Sequence, residues 1–169
     1  LWNALDAIES PALRHVHIVQ GTKWYGYGVL PGQFRTPAKE SDPRCMLPGR
    51  VYYYEQQDML ADRVSSATCS WTWSASRPSS AVAGFSMGSP MNLILCIAVY
   101  ASLCKELGTP FHFPGTRETY EKIYEMTSSD TLAKSMEWMS FDPRCANQAF
   151  NITNGDVIRW QNIWPRIAA

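Results

Sequence analysis

Short runs of strand-forming residues alternate with longer helix-forming segments along this chain, and that rhythm restricts the fold more than any other feature. His15-Val16-His17-Ile18-Val19-Gln20 reads as a strand ending at Gly21, and Trp71-Thr72-Trp73-Ser74-Ala75-Ser76 alternates in strand fashion up to Arg77-Pro78. Between them a helix spans about residues 53–65. The longest apolar run, 91–107, reads as a buried helix closed by Lys105 and Gly108, where a late lysine and a terminal glycine are expected. A short strand at 111–113, a helix over 129–141 capped by Ser128 or Ser129, a strand at 149–153, the turn Asn154-Gly155-Asp156 and a last helix to Ala169 complete the pattern. Strands alternating with helices predict an α/β layered domain with a largely parallel sheet.

Size and charge narrow the partners. The 169 residues make one domain the simplest reading, and 46% hydrophobic with 12% aromatic content places the chain among globular proteins. Fifteen basic and fifteen acidic residues cancel, so no electrostatic argument favours nucleic acid or an anionic membrane. The 91–107 run falls short of the roughly 20 apolar residues that a bilayer span needs. Five cysteines, Cys45, Cys69, Cys96, Cys104 and Cys145, form no C-x-x-C pair and read as reduced thiols, which with no export leader predicts a cytoplasmic protein. The chain opens on the back end of an amphipathic helix, Leu1 to Ile8, without an initiator methionine or an entry cap, and is expected to be a fragment.

Candidate chemistry centres on Tyr52-Tyr53-Tyr54, which run directly into a helix. A phenol in a first helical turn sits where partial positive charge accumulates, which favours its anion and suits it to proton donation. Tyr54 is the candidate donor; packing is the ordinary use of such a cluster. Tyrosine-dependent reductases usually carry a lysine four residues on, but here that position is Asp58 and no Y-x-x-x-K occurs. Lys23, just beyond the carboxyl end of the first strand, is the cation placed to assist, since ligands of open parallel sheets gather at those ends. The proline-rich stretch 26–50 is long enough to serve as a substrate lid.

Other motifs carry less. Gly84-Phe85-Ser86-Met87-Gly88 fits a hydrolase elbow, but the only later histidine is His112 and no aspartate lies between them, so order and spacing fail. Gly26-Tyr27-Gly28 begins like a dinucleotide loop and meets Pro31 where a glycine is needed. His15 and His17 share a strand face without a third metal ligand. Asn151-Ile152-Thr153 matches a glycosylation acceptor inside a predicted strand.

The segments Gly21-Thr22-Lys23-Trp24-Tyr25, Tyr52 to Asp58, Trp73-Ser74-Ala75-Ser76-Arg77-Pro78, Met91-Asn92-Leu93, Val99 to Lys105 and Ala149 to Val157 with Arg159-Trp160 together resemble one group in order. The group is the progesterone 5β-reductase and iridoid synthase-like, or PRISE-like, short-chain dehydrogenases. The resemblance implies a Rossmann-type doubly wound parallel sheet, with residues 1–169 as the C-terminal, substrate-side part of one domain and the N-terminal dinucleotide-binding strands missing. It implies NADPH, with NADH as the alternative, and reduction of the C=C bond of an α,β-unsaturated carbonyl. By motif position the family's catalytic residues fall on Lys23 and Tyr54, and cofactor contacts on Thr22, Pro78, Ala81 and Val82. Met87 stands where the family usually has proline, and Gln57 where it usually has an acid.

Two other functions share the fold: a catalytically silent dinucleotide-binding regulator, and an NAD-dependent epimerase or dehydratase. A serine hydrolase using Ser86 is the remote third. The partner expected is a small-molecule enone, and an exposed sheet edge would favour a homodimer.

Overall fold

The computed structural model describes residues 1–8, 10–27, 35–46, 49–66, 71–78, 81–82 and 92–169. In chain order come α1 (Trp2–Ile8), β1 (His15–Val19), a 3-10 turn (Thr22–Tyr25), α2 (Tyr52–Ser65), β2 (Thr72–Pro78), β3 (Ala81–Val82) and α3 (Leu93–Glu106). Then follow α4 (Arg117–Glu121), β4 (Ile123–Glu125), β5 (Thr127–Ser128), α5 (Ser129–Phe141), a second 3-10 turn (Pro143–Cys145), β6 (Gln148–Ile152), β7 (Val157–Arg159) and α6 (Trp160–Ile167). They divide into two compact units, Leu1–Ser79 with Leu132–Ile152, and Ser80–Thr131 with Thr153–Ala169.

The first unit is built on a three-stranded sheet in the order β1-β2-β6, every pair parallel. Side chains alternate across it, so Val16 and Ile18 of β1 lie on the same face as their partners Trp73 and Ala75 of β2. That face buries Leu5 of α1 with Met59 and Leu60 of α2. On the opposite face Phe150 and Ile152 of β6 meet Leu132 and Met139 of α5 and Cys145. The unit is therefore helix, sheet, helix, as a largely parallel sheet requires to cover both faces. Asn147 sets the register of β6: its left-handed backbone (φ 59°) lets its amide donate to Trp73 O at 2.7 Å while its Oδ1 accepts from Trp73 N at 3.2 Å.

The second unit holds a parallel pair, β3 with β5, and an antiparallel pair, β4 with β7. Its core is aromatic: Phe111 stacks on Trp164 at 4.6 Å between centroids, Phe113 meets Trp164 edge-on at 5.2 Å, and Trp164 Nε1 donates to Phe111 O. These contacts explain why 111–113 is not the short strand its pattern predicts. His112 N turns back on Pro110 O at 3.1 Å, and both phenylalanines go into the ring cluster.

α3 also departs from expectation. It starts where Asn92 Oδ1 caps Leu95 N and ends before Gly108, whose φ of +62° closes the helix. Yet Ile94, Val99 and Leu103 are exposed and Cys104 is its one buried residue, so the expected buried helix is apolar on an uncovered side. Among the described residues no helix is long and apolar enough to cross a membrane. The helix predicted over 129–141 is α5, and Ser128 Oγ accepts from Thr131 N at its start.

Candidate functional site

At the carboxyl end of β1 the chain leaves the sheet through Gln20 and Gly21 into the 3-10 turn Thr22–Tyr25. Gln20 N still bonds Ser76 O at 2.8 Å, which extends the sheet pairing one residue beyond β1. Gly26 ends the turn with φ 84°, its N–H returning to Lys23 O. A methyl group at Gly21 would sit 3.1 Å from Tyr53 Oη, so this glycine admits the tyrosine ring against the turn. Burial pushes the Tyr53 phenol up to about 12, helped by its bond with Tyr52.

Tyr54 lies in the first turn of α2, as predicted, and reaches back to the 3-10 turn. Its hydroxyl donates to Trp24 O at 2.5 Å and accepts from Cys45 N at 3.0 Å, while its ring meets Trp24 edge-on at 5.4 Å. The hydroxyl therefore rests on the backbone of the turn that carries Lys23, whose own side chain is exposed. Burial raises the Tyr54 phenol above its ordinary range; the Cys45 amide and the Arg44 and Arg77 guanidiniums offset this only in part. That corrects the expectation that the helix start would favour the anion, because loss of water costs the phenolate more than these groups return.

Beside Tyr54 lies a buried polar network that sequence reasoning missed. Arg77, 3% exposed, stacks its guanidinium 3.6 Å from the centroid of the Trp24 ring. It donates to Tyr25 Oη at 3.1 Å, Gln57 Oε1 at 3.1 Å and Gln20 Oε1 at 3.4 Å. Trp24 Nε1 shares Gln57 Oε1 at 3.0 Å, and Tyr25 in turn donates to Asn151 Oδ1 at 2.6 Å. A buried arginine held by neutral acceptors joins β2, the 3-10 turn, α2 and β6 at the strands' carboxyl ends. The signal for it was legible: a lone arginine at an apolar-face position of an otherwise uncharged strand.

The loop after the turn is tied down by the same residues. Asn151 Nδ2 donates to Ala38 O at 3.1 Å and its backbone N–H to Glu40 Oε1 at 2.9 Å, so the amide of the nominal glycosylation motif is engaged inside the fold. On the other sheet face His15 and His17 alternate with hydroxyls. His15 bonds Thr72 Oγ1 (2.8 Å) and Ser74 Oγ (2.7 Å); His17 bonds Ser74 Oγ (2.8 Å) and Ser76 Oγ (3.0 Å). Both imidazoles have their two nitrogens committed to hydroxyls.

Thr22 opens the 3-10 turn and its carbonyl accepts from Tyr27 N at 3.3 Å. Pro78 ends β2 beside Ile152, and Ala81 and Val82 form β3 against Thr127 and Ser128 in the second unit. The Gly84 to Gly88 motif with Ser86, and Cys69, lie outside the described residues; among the described residues Cys45, Cys96, Cys104 and Cys145 form no disulfide.

Parallel strands between helix layers, with a polar site at their carboxyl ends, define a Rossmann-type α/β protein. Residues 2–169 match the PRISE-like Rossmann-fold domain, and the chain belongs to that family. It is 35% identical to an (S)-8-oxocitronellyl enol synthase of Nepeta racemosa, covering 99% of this chain and 43% of that protein. It is also 35% identical to a 3-oxo-Delta(4,5)-steroid 5-beta-reductase of Arabidopsis thaliana, covering 99% and 44%. The chain thus spans less than half the length of these curated relatives. Solved structures agree on the fold alone. A GDP-L-fucose synthetase from Naegleria fowleri bound to NADP superposes with TM-score 0.64 at 13% identity, over 91% of this chain and 49% of that one. The UDP-glucose 4-epimerase of Thermus thermophilus in complex with NAD gives 0.58 at 15% identity, over 99% and 51%.

Proposed function

We propose that this chain is the catalytic, substrate-side part of an NAD(P)H-dependent reductase acting on the C=C bond of an α,β-unsaturated carbonyl. The observation that carries the reading is the Tyr54 hydroxyl lying on the carbonyl of Trp24, next in sequence to Lys23. Family membership and the names of the two relatives above support it. The reading treats residues 1–169 as the C-terminal part of a single domain working in the cytoplasm on a small molecule.

Hydride addition at the β-carbon pushes negative charge onto the carbonyl oxygen. A hydrogen bond from Tyr54 to that oxygen strengthens as the charge develops, which lowers the barrier without tightening substrate binding. Its acceptor in this structure is the backbone carbonyl of Trp24, so the hydroxyl must rotate off that carbonyl to donate to a substrate oxygen. A phenol is protonated at neutral pH, the state a donor needs, and burial shifts Tyr54 further in that direction.

The donor set at the carboxyl end of β1 fits the nicotinamide half of the cofactor: an exposed ammonium at Lys23 and a half-buried hydroxyl at Thr22 suit ribose hydroxyls. Reduced nicotinamide supplies the hydride when bound. Pro78, Ala81 and Val82 enter as nicotinamide-side contacts on motif position alone. Phosphate binding and the choice between NADPH and NADH are assigned to the part of the relatives that this chain does not cover.

The test is turnover of a simple enone by the complete protein with NADPH. Tyr54→Phe should lower kcat about 100-fold, the loss of a transition-state donor worth about 3 kcal/mol, and should also cost about 1–2 kcal/mol of stability because Trp24 O and Cys45 N lose their partner. Full turnover by Tyr54→Phe would remove the residue from the mechanism; tightly retained oxidised cofactor without net NADPH consumption would favour epimerase chemistry. The 169-residue chain alone should bind NADPH weakly, and a micromolar affinity in calorimetry would contradict the division of labour proposed.

A further inference from the structure

Asp58 follows Tyr54 by four residues, so the two share one face of α2. Its carboxylate receives a two-pronged contact from Arg44 of the loop: Nη1 donates to Oδ2 at 2.8 Å and Nη2 to Oδ1 at 2.5 Å. The fork fixes both the direction and the plane of the guanidinium. Held this way, the guanidinium carbon lies 5.0 Å from the centroid of the Tyr54 ring. The next residue completes the arrangement, because Cys45 N–H points at Tyr54 Oη from 3.0 Å and the Cys45 thiol is anchored on Tyr25 O at 2.8 Å.

We propose that Arg44, clamped by Asp58, is a positioning residue for Tyr54: it brings a guanidinium to the ring and the Cys45 amide to the phenol oxygen. The inference rests on Tyr54 being the proton donor, and it deepens that reading. In a Y-x-x-x-K helix the cation comes from the residue one turn after the tyrosine. Here that residue is an acid, and it recruits the cation from the loop instead. When Tyr54 passes its proton to the enolate oxygen, its O–H bond breaks, a substrate O–H bond forms, and the electron pair stays on the phenolate. Cys45 N–H then faces that oxygen from 3.0 Å, and the Arg44 charge lies 5.0 Å from the ring centroid, until water returns the proton. Burial works against this anion, and the other titratable groups that act on it are the Arg77 guanidinium and the Cys45 thiol.

A double-mutant cycle in the complete protein, with kcat and KM for a simple enone, tests the assignment. Arg44→Met should lower kcat about tenfold with KM changed less than about twofold, the scale of one cation–π contact and one amide hydrogen bond. Arg44→Lys should recover part of the loss, and Asp58→Asn should lower kcat less but in the same direction. In the Tyr54→Phe background, Arg44→Met should cost nothing further. An additive loss there, or a rise in KM at unchanged kcat, would overturn the proposal while leaving Tyr54 in place. If Tyr54→Phe alone kept full turnover, the enone-reductase role of Tyr54 would fall first and Arg44 with it. Arg44 is partly exposed and leaves no core void, and Asp58→Asn supplies an independent reading if the arginine variants fold poorly.

Discussion

The two faces of the β1-β2 ribbon are made from the same alternating backbone and solve opposite problems. One face is apolar: Val16, Ile18, Trp73 and Ala75 bury against α1 and α2, and at its carboxyl end the buried Arg77 begins the polar site around Tyr54. The other is a ladder of hydrogen bonds running Thr72, His15, Ser74, His17, Ser76. The first face is stabilised by area, the second by pairing every polar atom it withdraws from water. A packed face tolerates no void, whereas a paired face tolerates no missing partner.

That contrast can be broken from either side, and the apolar side should break hardest. Leu60 has no exposed surface, and Leu60→Ala should cost about 3 kcal/mol in denaturant unfolding, through lost transfer energy and a cavity. On the other face Ser74, also without exposure, bridges both imidazoles; Ser74→Ala strands one nitrogen of each and should cost about 2 kcal/mol. A loss below about 0.5 kcal/mol would mean water replaces the hydroxyl and the ladder is not a paired interior.

Acid separates the faces without mutation. Burial, and secondarily the neighbouring His15, lowers His17 from 6.5 to about 4. The unfolded chain then binds more protons than the folded one between those values, so this contribution is complete above about pH 6.5 and lost as pH falls to about 4. Urea titrations across that window should show the decline, and His17→Gln should flatten it. The smallest effect is expected at the ladder's outer rung. Thr72→Val removes one bond to half-buried His15 and should cost about 1 kcal/mol or less, with enone turnover unchanged because Tyr54 is on the other face. A turnover defect there would show that the faces are coupled.

Much of the architecture was legible in the residues. The strands at His15 and Thr72, the helix after the tyrosine run and the helix capped by Ser128 follow from periodicity and capping chemistry, which act over a few residues. The reading failed where the deciding contact was remote in sequence. Phe111-His112-Phe113 has a strand's pattern, but Trp164 claims its rings. The 91–107 run has a buried helix's composition, but composition does not report which side another element covers. Residues 157–159, which the pattern assigns to the last helix, instead form β7, and 123–125, which carry no strand pattern, form β4, since the two segments gain their ladder from each other.

The site divides the same way. Sequence by itself determined the residue types: a tyrosine run opening a helix, a lysine beyond a strand's end, an acid in place of the usual lysine, and the order of motifs that marks the family. Tertiary structure alone decided that Tyr54 bonds the backbone of the Lys23 turn, that Arg77 is buried against Trp24 and Tyr25 of that turn, and that Arg44 crosses to Asp58. The reason is that hydrogen bonds and desolvation depend on distance in space, and these partners come from segments up to dozens of residues apart, which local propensity does not encode.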